Sequence, residues 1–307
     1  MADRKTEKPH AIFIPFPLQG HLIPSVLLAV KLASRGFTIT FINTESIHHS
    51  ITKSSSESAA NCSYHDGDVF AEARKSGLDI RYATVSDGLP LVFDRSLNHD
   101  QYMECLFHVF SAHVDEIVGN LVKCDASINC LIADSFHVWP VMISKKYKLV
   151  NISFWTEPAL VLNLYYHMDL LKKNGHYDSL DKHEDVIDYI PGVESIKPSD
   201  LIYAHTSKHD LTEIAYGLLQ SRVSFVWALR PDIVSSNDTN ALPLGFEDQE
   251  VTKKIKGLMR EDKSSELRKE ITMVKTTLQD ALAVGGSSQR NFDRFISEVK
   301  VKTNKMK

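Results

Sequence analysis

One segment near the start of the chain narrows the possible folds more than any other. His10–Pro17 (HAIFIPFP) is an apolar run after a polar opening, and such a run suits a strand buried on both faces of a parallel sheet. Leu18-Gln19-Gly20-His21 reads as a turn. Leu22–Arg35 is amphipathic at helical spacing, with Pro24 tolerated in the first turn and Gly36 as a stop signal. Phe37–Ile42 is a β-branched and aromatic strand. Strand, helix and strand within about 30 residues make a βαβ unit.

The alternation continues. Asp79–Val85 reads as a strand closed by Asp87-Gly88-Leu89-Pro90, Asn98–Lys123 as a long helix, and Cys130–Ala133 as a strand ending at Asp134. Trp139–Tyr147 is then a helix, Leu149–Phe154 a strand, and Glu157–Lys172 a helix. Ser50–Ser63 is Ser-rich and reads as a surface loop. The whole predicts a doubly wound α/β sheet. The pattern stops near Asn174, and Pro191-Gly192 marks a turn. Ser207–Leu219 reads as a helix and Ser224–Leu229 as a lone strand. From Val251 onward only helices are expected: Val251–Met259, Ser265–Ala283 and Asn291–Val299.

Composition excludes the unusual classes. The 307 residues are 43% hydrophobic and 24% charged, with a net charge of −4, so nothing drives the chain onto nucleic acid. Residues 250–307 hold 14 Lys or Arg against 8 Asp or Glu, interleaved as on solvated helix faces. The charged Met1–Lys8 is not followed by the apolar h-region of a secretory signal, and no stretch approaches a membrane span, so a cytoplasmic protein is expected. Cys62, Cys105, Cys124 and Cys130 have no metal or redox spacing and read as reduced thiols; three Asn-X-Ser/Thr matches are then chance.

The common phosphate and nucleophile motifs are missing: no GxGxxG after the first strand, no GxxxxGK[ST], no GxSxG. His205 and His209 stand four apart without a third ligand, so no metal is expected. One pair remains. His21 comes just after the first strand beside Gly20, and Asp134 ends a later strand. In an open parallel sheet, ligands bind outside the carboxyl ends of the strands, and both residues lie at that edge. A His held by a buried Asp makes a general base; two local helix caps would explain the same spacing.

The stretch Pro15-Phe16-Pro17-Leu18-Gln19-Gly20-His21-Leu22-Ile23-Pro24 resembles the start of plant UDP-dependent glycosyltransferases of small-molecule secondary metabolism. Ser86–Pro90 resembles their first acceptor loop, Cys130–Phe136 the strand bearing their catalytic Asp, and Pro191–Leu201 the end of their acceptor region. Ser224–Pro231 resembles a donor-domain strand, and Gly285–Phe292 their C-terminal helix. The resemblance implies a GT-B-like fold: an N-terminal Rossmann-like parallel-sheet domain over residues 1–201, which binds the acceptor, and an incomplete, mostly helical donor domain over 202–307. It implies His21 as the base that removes an acceptor hydroxyl proton, Asp134 as its partner, and Gly20 with His21 on the acceptor side. Transfer would proceed with inversion, with a UDP-sugar as co-substrate, no cofactor and a monomeric enzyme. Phe93, His137, Trp139, Phe154 and Trp155 are candidates for an aromatic-accepting pocket or for ordinary core.

The family's donor signature, with its Trp-Cys, its central His-Cys-Gly-Trp-Asn-Ser and its closing Asp-Gln, has no counterpart here. Phe246–Gln249 resembles the family segment on the N-terminal side of that signature, and Glu250–Ile255 the segment on its C-terminal side. A second junction falls near Leu201–Ala204, where a linker, a strand and a Gly-Ser turn are missing. Those segments would supply the contacts to a diphosphate and a uracil. An inactive truncated product, or an acceptor-binding protein without a UDP-sugar site, is therefore the alternative. Without partner strands, Ser224–Leu229 is expected to pack loosely or to join an edge of the N-terminal sheet.

Overall fold

A computed structural model of the chain describes residues 8–58, 68–176, 186–193, 195–197 and 261–305. By compactness the chain divides into two units, Met1–Leu162 with Phe295–Lys307, and Asn163–Arg294. The expected helices Ser207–Leu219 and Val251–Met259, the strand Ser224–Leu229 and the boundary at Leu201 lie outside the described residues.

The first unit is built on five parallel strands: β1 His10–Ile14, β2 Thr38–Thr44, β3 Ile80–Val85, β4 Ile128–Asp134 and β5 Val150–Phe154. Their order is β3-β2-β1-β4-β5. The expected Rossmann-like α/β sheet is therefore present, with β1 at its centre. Every β1 and β2 residue is buried, as expected of strands covered on both faces. The chain winds outward from β1 to β3 and then returns to β1's other side, so β1 and β4 form the switch point of the sheet. Their register pairs Ile14 with Ala133 and shifts once, between His10 and Ala11.

Side-chain alternation along the strands separates two cores. On one face Ile12, Ile14, Ile42, Leu131 and Ala133 meet residues of three helices, α4 His99–His108, α5 Phe110–Cys124 and α6 Pro140–Lys146. On the other, Phe13 stacks on Phe41 at 5.4 Å and meets Phe154 edge-on at 6.0 Å, while Phe41 meets Phe70 at 4.9 Å. The helix α1, Gln19–Ser34, packs on the β2–β3 side of the sheet.

Three local expectations change. First, α1 begins at Gln19 rather than Leu22, because the Leu18 carbonyl accepts the His21 and Leu22 amides at 3.0 and 2.8 Å. His21 thus stands in the first helical turn instead of a preceding loop, and Pro24 in the second. Secondly, Glu45–Ser58 is a helix, α2, where the Ser-rich composition suggests a loop. Thr44 Oγ1 caps it by accepting the Ile47 amide at 3.3 Å, and the Ser50 and Thr52 hydroxyls donate to carbonyls four residues back. Thirdly, the long helices are interrupted. Val109 separates α4 from α5, where Ala112 N–H turns to the Val109 carbonyl three residues back; His167 separates α7, Ala159–Tyr166, from α8, Met168–Lys173. The short helix α3 is Ala71–Lys75.

In the second unit, Leu171, Ile187 and Ile190 form a small core, and Ile187 pairs antiparallel with Ile196. Two further helices close the chain, α9 Glu261–Leu282 and α10 Ser287–Lys305. Gly286 separates them, and a Cβ there would collide with the carbonyls of Asp280 and Ala281. In α10 the buried residues Ile296, Val299 and Thr303 recur at helical spacing, on the stretch that groups with the first unit.

The aromatic face predicts a measurable dependence. Phe13→Ala would remove a fully buried ring at the centre of the sheet. A loss of about 3–5 kcal/mol is expected in the free energy of unfolding measured with denaturant.

Candidate functional site

Two strand ends bring the site together. β1 ends at Ile14, and three residues of turn lead to Leu18 and the first turn of α1, which carries His21. β4 ends at Asp134. Because β1 and β4 are neighbours, residues 113 apart in sequence come within hydrogen-bond reach: His21 Nδ1 lies 2.8 Å from Asp134 Oδ2. A carboxylate oxygen can only accept, so Nδ1 carries the hydrogen and donates it. The other ring nitrogen, Nε2, is left as the proton acceptor and has no hydrogen-bond partner among the described residues.

Asp134 is 1% exposed and well satisfied, since Oδ1 also accepts the Phe136 amide at 2.9 Å. The imidazole sits between two rings, Phe136 at 4.5 Å and Phe16 at 5.4 Å between centroids. Nδ1 has a second neighbour, Thr156 Oγ1, also at 2.8 Å. Thr156 is a site residue that the sequence does not reveal. A single Thr two places beyond β5 carries no local signal, and its partner lies 135 residues away. Gly20 is exposed on the first turn of α1, and a Cβ there would meet open space.

The aromatic candidates separate. Trp139 is buried, with Nε1–H donating to the Leu106 carbonyl at 3.3 Å, and Phe154 belongs to the aromatic face of the sheet. Phe93 is half-buried. Trp155 stays near the dyad, 6.0 Å from Phe136. His137 is buried and donates Nε2–H to the Pro15 carbonyl at 3.1 Å, tying the turn after β4 to the turn after β1. Burial pushes its pKa down to about 4, so it is neutral at physiological pH. A cavity of about 100 Å³ lies beside Asp134, lined in part by His137, Pro140, Asn151 and Ser153.

The loop after β3 is held by a buried ion pair. Asp87 receives Arg95 Nε–H at 2.7 Å on one oxygen and an Arg95 terminal N–H at 2.9 Å on the other. Ser46 of α2 donates to Asp87 Oδ2 at 2.8 Å, and the Leu89 amide to Oδ1 at 3.1 Å. Burial works to raise the Asp87 pKa; the bonds from Arg95, Ser46 and Leu89 more than offset it and hold the carboxyl below its ordinary value. Gly88 has φ +90°, and a Cβ there would lie 2.6 Å from Val109 Cγ1, so the turn takes no larger residue without rearrangement.

Among the described residues, no group of three or more His, Cys, Asp or Glu could hold a metal, and no helix is long and apolar enough to cross a membrane.

No family model matches the chain. UDP-glycosyltransferase 86A1 of Arabidopsis thaliana is 37% identical over 478 residues, taking in 98% of this chain and 96% of that one. The chain belongs to the UDP-glycosyltransferase family. UDP-glycosyltransferase 86A2 of the same plant is 42% identical over 335 residues, covering 78% of this chain and 67% of that one. A solved UDP-glucose:anthocyanidin 3-O-glucosyltransferase in complex with UDP aligns with 23% identity and a TM-score of 0.48, over 64% of this chain and 40% of its own. The alignment to the 86A1 protein spans 478 residues, whereas this chain has 307 in all and matches over 98% of its length. Interior segments of that glycosyltransferase therefore have no counterpart here.

The buried charges and rings of this family member make two further properties measurable. Arg95→Leu leaves the Asp87 carboxylate buried without its cation, at an expected cost of about 3–5 kcal/mol near pH 7. In the native chain the depressed Asp87 pKa stabilises above the unfolded value, and that contribution is lost as pH falls through the folded one. In the variant the cation no longer opposes burial, so the deficit in denaturant midpoint should shrink as pH drops toward about 4. The second property concerns His137. Its folded pKa of about 4 lies below the unfolded value near 6.5, so the unfolded chain binds the proton first. Stability should decline from pH 6.5 to 4, with His10, also lowered chiefly by burial, acting in the same direction. His137→Gln keeps a donor for Pro15 and should flatten that slope.

Proposed function

We propose that this protein transfers a glycosyl group from a UDP-sugar to a hydroxyl of a small-molecule acceptor, with His21 as general base and Asp134 as the residue that orients it. The observation that carries the reading is the 2.8 Å contact between a buried Asp134 and His21 Nδ1 at the switch point of the sheet, which leaves Nε2 bare. Family membership supplies the chemistry: the sugar nucleotide is a co-substrate and no cofactor is required. We also propose the division expected from the sequence, a GT-B-like pairing of an acceptor domain, residues 1–201, with a donor remnant, residues 202–307.

Nε2 takes the proton of the acceptor hydroxyl as its oxygen forms a bond to the anomeric carbon. The bond from that carbon to the diphosphate oxygen breaks, its electron pair leaves with UDP, and the configuration inverts. The positive charge gained by the imidazole is balanced by Asp134, which also selects the productive tautomer. We also place Gly20, exposed on the first turn of α1 beside His21, on the acceptor side. We place the protein in the cytoplasm as a monomer.

The interior gap against the 86A1 protein raises one specific alternative, an acceptor-binding chain that does not hold UDP-sugar. Titration calorimetry with UDP-glucose separates the two. Binding in the millimolar range or tighter is expected of the enzyme, whereas absence of heat establishes the alternative. In a transfer assay on a hydroxylated aromatic acceptor, His21→Gln should lower the rate about 10²–10⁴-fold. The Gln amide can still donate to Asp134, so the variant should remain folded. Unchanged turnover would remove His21 from the base role.

A further inference from the structure

Thr156 Oγ1 and Asp134 Oδ2 both lie 2.8 Å from the same ring nitrogen, Nδ1 of His21. That nitrogen has one hydrogen. The carboxylate oxygen has none to give, so the hydrogen belongs to the ring. A ring nitrogen bearing hydrogen has no lone pair left in the ring plane to accept from a hydroxyl. The Thr156 oxygen therefore faces Nδ1–H as a second acceptor.

We propose that Thr156 is a positioning residue for His21: its hydroxyl oxygen shares Nδ1–H with Asp134 in a three-centre hydrogen bond. The inference rests on the reading of His21 as the base. One acceptor fixes the direction of an N–H but leaves the ring free to rock about that bond. Two acceptors on different elements, the end of β4 and the residues after β5, define the ring's plane as well, and hence the direction in which Nε2 points.

The segment bearing Thr156 is itself secured. The Phe154 carbonyl accepts the Ser135 amide at 3.0 Å, which ties the end of β5 to the residue after Asp134. Trp155 Nε1–H donates to the Pro158 carbonyl at 3.2 Å, and the Trp155 ring rests against Phe136, which in turn lies against the imidazole. Thr156 and Asp134 thus approach Nδ1 from a fixed frame. The hydroxyl also supplies no charge, so the two residues divide the work: Asp134 selects the tautomer and balances the imidazolium, and Thr156 sets the orientation.

The test is NMR of the full chain with ¹⁵N-labelled histidine, with the His21 signals assigned from their loss in His21→Gln. In the native protein Nδ1 should show the shift of a protonated nitrogen and Nε2 that of a bare one. Thr156→Val is nearly isosteric and removes the second acceptor. Its Nδ1–H proton resonance should move downfield, because the hydrogen is then held by the carboxylate alone, and Thr156→Ser should return it to the native position. An Nδ1–H resonance that does not move in Thr156→Val overturns the proposal. A bare Nδ1 in the native protein overturns it too, since the hydroxyl would then be the donor. Native amide shifts along β1 and β4 in Thr156→Val report that the variant is folded, and Thr156→Ser supplies the comparison if it is not. The readout needs no turnover. An unmoved resonance removes Thr156 and leaves the base in place, whereas unchanged transfer by His21→Gln removes the base and leaves the three-centre bond.

Discussion

The site depends on the parallel pairing of β1 with β4. Strand order β3-β2-β1-β4-β5 makes these two strands neighbours although 113 residues of chain separate the side chains at their ends. Once Ile14 is in register with Ala133, the turn after β1 and the turn after β4 emerge side by side. The His137 bond to the Pro15 carbonyl then joins the two turns directly. His21 and Asp134 need no long loop to meet; they are carried to one place by the sheet, and sites on rigid elements hold their geometry better than sites on loops.

Burial then converts proximity into chemistry. Asp134 is enclosed, so its charge must be met by donors, and two are present: the imidazole N–H and the Phe136 amide. The aromatic rings of Phe16 and Phe136 exclude water from the flanks of the imidazole while leaving Nε2 without a partner among the described residues. The same principle holds the loop after β3, where Asp87 is satisfied by Arg95, Ser46 and a backbone amide. Both carboxylates sit at the same edge of the sheet. One is neutralised by a cation and serves structure; the other is paired with a group that can gain and lose a proton.

Much of this is legible in the sequence where the signal is local. Apolar runs mark β1, β2, β4 and β5, and the positions of His21 and Asp134 just past or at strand ends place both at the ligand-binding edge. The features that stay hidden depend on distant or unusual partners. The helix α2 lacks an apolar stripe of the common kind; its Ser and Thr hydroxyls turn back to carbonyls, and its cap is a Thr that also reads as the end of a strand. Thr156 acquires its role only when β5 is laid beside β4. The start of α1 lies three residues ahead of its expected place because Leu18 caps it with backbone alone, without the polar side chain that usually announces a helix.

The internal gaps relative to the 86A1 protein can be reconciled with an intact dyad on physical grounds. The sheet buries both its faces with elements drawn largely from residues 10–154, so its core does not depend on the interior segments that are missing. Within that core the His21–Asp134 pair has a structural part to play: a side chain without a donor in place of the imidazole leaves a buried carboxylate short of a partner, a strongly destabilising change. Selection on stability alone would therefore keep the pair whether or not the chain binds a sugar nucleotide. A positioned base accelerates transfer only when the electrophile is positioned too, since most of the gain from proximity comes from holding both reactants. The acceptor-side geometry thus sets what a bound UDP-sugar would undergo, and the affinity for that sugar nucleotide sets whether the chain works as an enzyme.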